Sequence, residues 1–276
     1  DILLNARETF KKNNPETKPL ISTFCPAIVR LIQVKFPSLV ENLILLKSPL
    51  EIAALYQKKL LIEQGIPEKE IGLFYITQCP AKIAAVKSPV GEDKSEITGV
   101  INLDFIYNKI FKSIKQSGKV SCEVPMIEEL NAKEILWSLT NGEKETFEGR
   151  VLAIDEIHNV IEFLEKIESQ EISDIDFLEL RACDESCAGG VLTSGNRFLT
   201  VERMKKRAKH SKENANCNNC LSHELYKHNQ FLLDNISISK IQPRSMLKLD
   251  EIMSEALKKM SKIHEIMEYL PKTDCG

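Results

Sequence analysis

Four cysteines in three short motifs are the residues best placed to do chemistry. They are Cys25 in Thr23-Phe24-Cys25-Pro26, Cys79 in Gln78-Cys79-Pro80-Ala81-Lys82, and the pair in Cys183-Asp184-Glu185-Ser186-Cys187-Ala188-Gly189-Gly190. Each is expected in a turn beside an apolar strand or at the start of a helix, where α/β proteins build cofactor crevices. Four thiolates with no histidine among them are the ligand set of a [4Fe-4S] cluster or of an all-cysteine zinc site. Zinc sites of that kind usually pair two short CxxC-type knuckles. Here two ligands are distant singletons and the pair is spaced Cys-x3-Cys, which favours the cluster. The plainest alternative is four buried thiols that only pack.

A second constellation is Cys217-Asn218-Asn219-Cys220-Leu221-Ser222-His223, with His228 nearby. Its spacing is zinc-like, but no second knuckle completes it, so a polar loop with adventitious cysteines is the preferred reading. Cys122 reads as structural, and His158 as a capping or packing residue. No nucleophile elbow, Walker sequence or Gly-rich dinucleotide fingerprint occurs.

The elements that must position the cysteines follow from punctuation and periodicity. Pro26 and Pro80 each directly follow a cysteine and suit the first position of a helix, whose free N–H groups favour a thiolate or an anionic cluster. The first such helix runs to Phe36. Ser48-Pro49 opens a helix to about Gln64, stopped by Gly65. Ile71–Thr77 reads as a strand delivering Cys79, and Ile175–Leu180 as one delivering Cys183. Val100–Leu103 and Arg150–Ile154 are further strands. A helix from Asp104 to about Gln116 follows the first of these; Asp155 caps another, to about Lys166. Strand–helix alternation predicts an α/β fold of parallel layers. Near the C-terminus, Leu249, Ile252, Met253, Ala256, Leu257, Met260, Ile263, Ile266, Met267 and Leu270 recur at helical spacing, giving one long amphipathic helix.

Composition bounds the rest. The 276 residues are 43% hydrophobic with net charge -3, enough for a sizeable core and no nucleic-acid footprint. No apolar run reaches membrane length, and no signal peptide is recognisable. Eight cysteines without a secretory signal read as thiols or metal ligands in a reducing cytoplasm. The missing initial Met and the ending at Asp274-Cys275-Gly276 suggest a processed or excised chain.

Together the motifs resemble the three cluster-binding motifs of the iron-only ([FeFe]) hydrogenase catalytic domain, in the same order. Lys47-Ser48-Pro49, Trp137-Ser138-Leu139-Thr140-Asn141-Gly142-Glu143 and Phe177-Leu178-Glu179-Leu180 also match the text between them. The resemblance covers about residues 20–200. More weakly, Pro243–Asp250 and Leu270–Gly276 look like the sensory-type relatives. There Cys275 would be the first ligand of a following iron–sulfur module. The resemblance implies that Cys25, Cys79, Cys183 and Cys187 hold a [4Fe-4S] cluster. Cys187 would bridge it to a diiron subcluster, and Lys82 would contact a cyanide ligand of that subcluster. It also marks departures. Phe24 stands where the family carries a proton-relay cysteine, and Thr77 and Arg181 stand where methionines pack against the diiron site. The family's longer Gly-Gly-Gly-Gln-Pro ending is missing after Cys187, and the family's pocket-closing segment upstream of the first motif is not expected here.

The fold expected is two lobes of small, mainly parallel sheets flanked by helices, with a C-terminal helical extension. The lobes are expected over residues 1–135 and 136–200, a helical or irregular excursion over 201–242, and the long helix over 243–276. The function expected is a redox or hydrogen sensor, or electron-transfer unit, working with a signalling or electron-transfer partner. The alternatives are an active hydrogenase with a full diiron site and a non-redox scaffold.

Overall fold

The computed structural model describes residues 2–92, 94–117, 130–144, 147–193, 195–211, 229–244, 250 and 252–269. Helix α1 (Ile2–Asn13) leads into the two-residue strand β1 (Leu20–Ile21), and α2 (Pro26–Lys35) starts five residues after β1 ends. A 3-10 turn over Pro37–Asn42 precedes α3 (Pro49–Glu63), which Ser48 caps by accepting the Glu51 N–H at 3.4 Å. Strand β2 (Phe74–Thr77), α4 (Pro80–Lys87), β3 (Gly99–Asn102) and α5 (Leu103–Ser117) follow.

The second half opens on α6 (Ala132–Leu136), which starts with a reciprocal capping box between Asn131 and Glu134. Then come β4 (Val151–Ile154), α7 (Ile157–Glu168), β5 (Phe177–Leu180), a 3-10 turn at Ser186–Gly189 and α8 (Arg197–His210). Short α9 (Asn229–Asn235) and the long α10 (Met253–Tyr269) complete the described elements. The strand and helix expectations hold within a few residues. The helix expected to start at Asp155 is instead flanked by Glu156, whose φ of 66° is left-handed. Asp155 spends its carboxylate on the Thr140 hydroxyl, at 2.6 Å.

Two parallel sheets result, one in the order β1-β5-β4 and one of β2 and β3 alone. The larger sheet draws strands from both sides of residue 135, because Leu20 pairs with Phe177 and Ile21 with Leu178. Its β5 is apolar except for Glu179 and is buried at every position. One core lies between this sheet, α2 and α7, where Ile28, Ile32, Val160, Leu164 and Leu178 are all fully buried. A second lies on α1, where Phe147 and Phe177 stack with ring centroids 4.1 Å apart. Burial of both faces is what parallel strands require.

The β2–β3 pair is thinner. Phe74 and Ile76 point outward, and α5 carries exposed Phe105, Tyr107, Ile110 and Phe111. Helix α10 is likewise open along its apolar side, at Met253, Leu257, Met260, Ile263 and Ile266. No helix among the described residues is long and apolar enough to cross a membrane.

Candidate metal centre

Cys25 and Cys79 occupy equivalent places. Each is the extended N-cap residue of its helix, with Pro at the first helical position. Each carbonyl accepts the first helical N–H, from Val29 and Ile83 respectively, both at 3.2 Å. Proline at that position removes a donor that would have no intrahelical partner and presets the helical φ. The two helices pack against each other, and Arg30 of α2 donates to the Ser88 carbonyl beyond α4 at 2.6 Å. The remaining thiols come from the loop after β5. Cys183 lies three residues beyond the strand, and Cys187 is in the 3-10 turn.

That loop is held tightly. Glu185 and Ser186 adopt left-handed φ values of 58° and 54°. The Ser186 N–H donates to the Cys183 carbonyl at 3.0 Å. A Cβ on Gly189 would fall 1.8 Å from the Asp184 carbonyl oxygen, so only glycine fits there. The Cys187 N–H reaches the Ser138 carbonyl at 3.3 Å. Gln78 donates its side-chain amide to the Cys187 carbonyl at 3.2 Å, which ties the Cys79 segment to the Cys183–Cys187 loop.

The structure brings the four cysteines into one electrostatic neighbourhood. All four are unpaired and partly buried. Burial first, then the charges of Cys25, Cys79 and Cys187, push the Cys183 thiol up to about 11. Burial also raises Cys187, opposed by the positive charges of Lys82 and Arg181. Four thiols that repel one another as thiolates are what a metal group with net positive iron charge relieves. Among the described residues, no three His, Cys, Asp or Glu are drawn close enough to hold a single metal ion.

Beside Cys187 the structure supplies features that sequence reasoning did not assemble. Phe24 is buried, and two cations lie over its ring: Arg181 Cζ at 4.0 Å and Lys82 Nζ at 4.5 Å from the centroid. Arg181 is 1% exposed and anchors a buried ionic network. Its Nη2 donates to Glu143 at 2.7 Å and more weakly to Glu179 at 3.4 Å. Glu143 also pairs with Arg7 of α1 and accepts from the Ser22 hydroxyl at 2.8 Å. That hydroxyl in turn accepts the Phe24 N–H at 3.2 Å. Burial alone would raise the Glu143 carboxyl, but the charges of Arg7 and Arg181 and the Ser22 hydrogen bond hold it below its ordinary value. Burial dominates at Glu179 and raises it, although its carboxylate accepts backbone N–H bonds from Glu143 and Lys144 at 2.9 and 3.1 Å.

Thr77 is buried, and its hydroxyl accepts the Cys79 N–H at 3.2 Å, so it stiffens a cysteine turn. His158 neither packs nor caps: it is exposed in the first turn of α7. Cys217, Cys220, His223, Cys122 and Cys275 lie outside the described residues.

The first two cysteine motifs lie in a stretch that matches a known family. Residues 2–104 match the family described as iron only hydrogenase large subunit, C-terminal domain. No curated protein matches the sequence. Solved structures do. One, a study of stepwise [FeFe]-hydrogenase H-cluster assembly in HydA(deltaEFG), is 15% identical with a TM-score of 0.59, covering 88% of this chain and 80% of that one. A second concerns oxygen inactivation of [FeFe]-hydrogenase through its H cluster 2Fe subcluster, at 15% identity, TM-score 0.61 and 89% and 81% coverage. A variant of HydA1 from Chlamydomonas reinhardtii gives 15% identity, TM-score 0.60 and the same coverage. The chain thus shares the fold of these hydrogenase structures, a mixed α/β architecture of short parallel sheets flanked by helices.

Proposed function

We propose that this chain is an iron–sulfur domain of the [FeFe]-hydrogenase fold that senses redox state or hydrogen. It passes that state to an attached or bound electron-transfer or signalling partner in a reducing cytoplasm. The observation that carries the reading is the meeting of Cys25, Cys79, Cys183 and Cys187 at two strand ends and two helix starts. These four would hold a [4Fe-4S] cluster. A cluster there would supply one-electron storage, with its potential tuned by burial and nearby charge.

The chain's own residues fit storage better than turnover. Phe24 has no proton to give or take, and it blocks with carbon the position from which the family relays protons. The charges of Lys82 and Arg181 beside Cys187 stabilise negative charge on its sulfur. Prolines 26 and 80 and the glycine at 189 fix the backbone around the thiols. Helix α10, with its open apolar side, is the natural output: a partner helix would lie along Met253, Leu257 and Met260.

The test is iron, sulfide and zinc analysis of anaerobic protein, with its infrared spectrum after production alongside hydrogenase maturation factors. Iron with sulfide, lost on Cys187→Ser, is expected. Zinc without sulfide overturns the reading in favour of a scaffold. A second reading, hydrogen turnover at a diiron subcluster, is favoured by the position of Lys82, whose charge acts on Cys187. Bands of iron-bound carbon monoxide and cyanide together with hydrogen–deuterium exchange activity would establish it.

A further inference from the structure

Helix α10 is the longest helix among the described residues. Met253, Ala256, Met260 and Ile263 recur along it at alternating steps of three and four, the spacing of a two-helix seam. Ile252 and Ile266 flank that seam on one side and Leu257 on the other. The large side chains of this face are 45% to 75% exposed, from Ile263 to Met253, so the described body of the chain does not cover them. Ser254, Lys258, Lys262 and Glu265 fall on the opposite face. An apolar stripe this wide, along a helix of about 25 Å at 1.5 Å per residue, is built to meet another helix.

The pattern is complementary to itself. A second copy laid antiparallel, with the two-fold axis level with residue 258, sets Met253 against Ile263 and Ala256 against Met260, each pair occurring twice. The smallest residue of the seam thereby meets a long one, as close packing requires. Ile252 then lies beside Ile266, and Leu257 beside its own counterpart. Lys259 also meets its counterpart, but each ammonium is held by Asp250 at 2.8 Å. The helix carries Lys258, Lys259 and Lys262 against Glu255, Glu265 and Glu268, so its copies do not repel through net charge. A parallel pair fits less well. It sets Ala256 against Ala256, a gap between methionine layers, and brings Lys259 of one copy beside His264 of the other.

We propose that α10 is a dimerisation helix, its apolar side covered by α10 of a second copy of this chain in an antiparallel, isologous pair. Each contact in such a pair is made twice across the two-fold axis, so the association closes at two copies. The proposal names the partner for the output role given to α10 above and rests on that reading for its purpose, while its geometry needs no bound cluster. The seam is short, so the pair belongs to the weak, reversible class of interface. A weak pair is one that a change of state in the attached domain can make or break.

Sedimentation equilibrium of the full-length chain is the test, run anaerobically from low to high micromolar concentration. A reversible monomer–dimer equilibrium is expected. Leu257→Lys brings two ammonium groups together at the two-fold axis and is expected to weaken dimerisation at least tenfold. The position is exposed, so the thermal midpoint of the monomer should not change. Lys262→Glu, on the outer face, is expected to leave dimerisation as it is. A chain that stays monomeric throughout the range, dimers that Leu257→Lys leaves intact, or an equal loss in Lys262→Glu overturns the proposal. Oxidising a mixture of Ala256→Cys and Met260→Cys chains and mapping the linked peptides checks the direction. The two variants are expected to link to each other; linkage of Ala256→Cys chains among themselves means a parallel pair and overturns the facing assignments. Iron and sulfide are measured on the same samples. Dimers that take up neither would sink the cluster reading and leave this one standing; a monomeric protein that holds both would do the reverse.

Discussion

Strand β5 is closed to solvent along its whole length, with Phe177, Leu178, Glu179 and Leu180 each 0% exposed, whereas β2 leaves Phe74 at 64% and Ile76 at 45%. Both strands nevertheless end just ahead of a cysteine. Cys183 and Cys187 therefore hang from a central strand with neighbours on both edges, and Cys25 begins a helix set into the same core. Cys79 and Lys82 follow a two-stranded sheet that is half open. Local stability tracks buried apolar contact, so the half carrying Cys79 opens at lower free energy than the half carrying the other three thiols.

The largest effects are expected in the closed sheet. Phe177→Ala removes a fully buried ring stacked on Phe147 and should cost about 3–5 kcal/mol, read from the shift in denaturant midpoint. Glu143→Gln should cost about as much, ~3–5 kcal/mol, because it strands the charges of Arg7 and Arg181 in the interior. Its pH dependence is a sharper check. The Glu143 carboxyl is held below its ordinary value of 4.5, so its contribution is present above that pH and is lost as pH falls through the folded-state value. In Glu143→Gln that acid-side loss should disappear.

Glu179 has the opposite sign. Its folded-state value is raised, so ionisation works against the fold as pH rises through that value. Glu179→Gln should keep the two backbone N–H bonds through its amide oxygen, give up only the weaker 3.4 Å contact with Arg181, and cost less at neutral pH than Glu143→Gln, read from the shift in denaturant midpoint. A large loss in Glu179→Gln would mean that its bond to Arg181 matters more than its burial.

Gly189→Ala should cost about 1–3 kcal/mol, through the enforced shift of the Asp184 carbonyl, and should lower iron content out of proportion to stability. The smallest effect belongs to the open sheet. Phe74→Ala should change global stability by under about 0.5 kcal/mol, as exposed positions do. Amide exchange of β2 and β3 should nonetheless quicken while that of β5 stays unchanged. Equal quickening in both sheets would break the contrast between them.

Much of this arrangement was legible in local sequence, because local rules make it. Cys-Pro at two helix starts, apolar runs ending before Cys79 and Cys183, and Ser48-Pro49 all act over a few residues. The ionic network is different. Arg7 and Glu143 are 136 residues apart, and nothing near either signals the other. One clue was present: Glu179 interrupts an otherwise apolar strand, and a charge there must find a buried partner. Arg181, two residues on, was legible only as a departure from methionine. The division of the sheets was hidden as well, since β1 is two residues long and carries no periodicity of its own.

The pairing of β1 with β5 sets an order of events during synthesis. Cys25 leaves the ribosome long before Cys183, and Leu20 has no partner until Phe177 has been made. At roughly 5–20 residues per second, that interval lasts on the order of 10–30 s. Throughout it Cys25 follows a strand whose sheet cannot yet form, whereas β2, ahead of Cys79, can pair as soon as β3 is made. A group held by all four cysteines could be bound only once Cys187 has been made, and truncation anywhere before β5 leaves Leu20 and Ile21 without their strand partner.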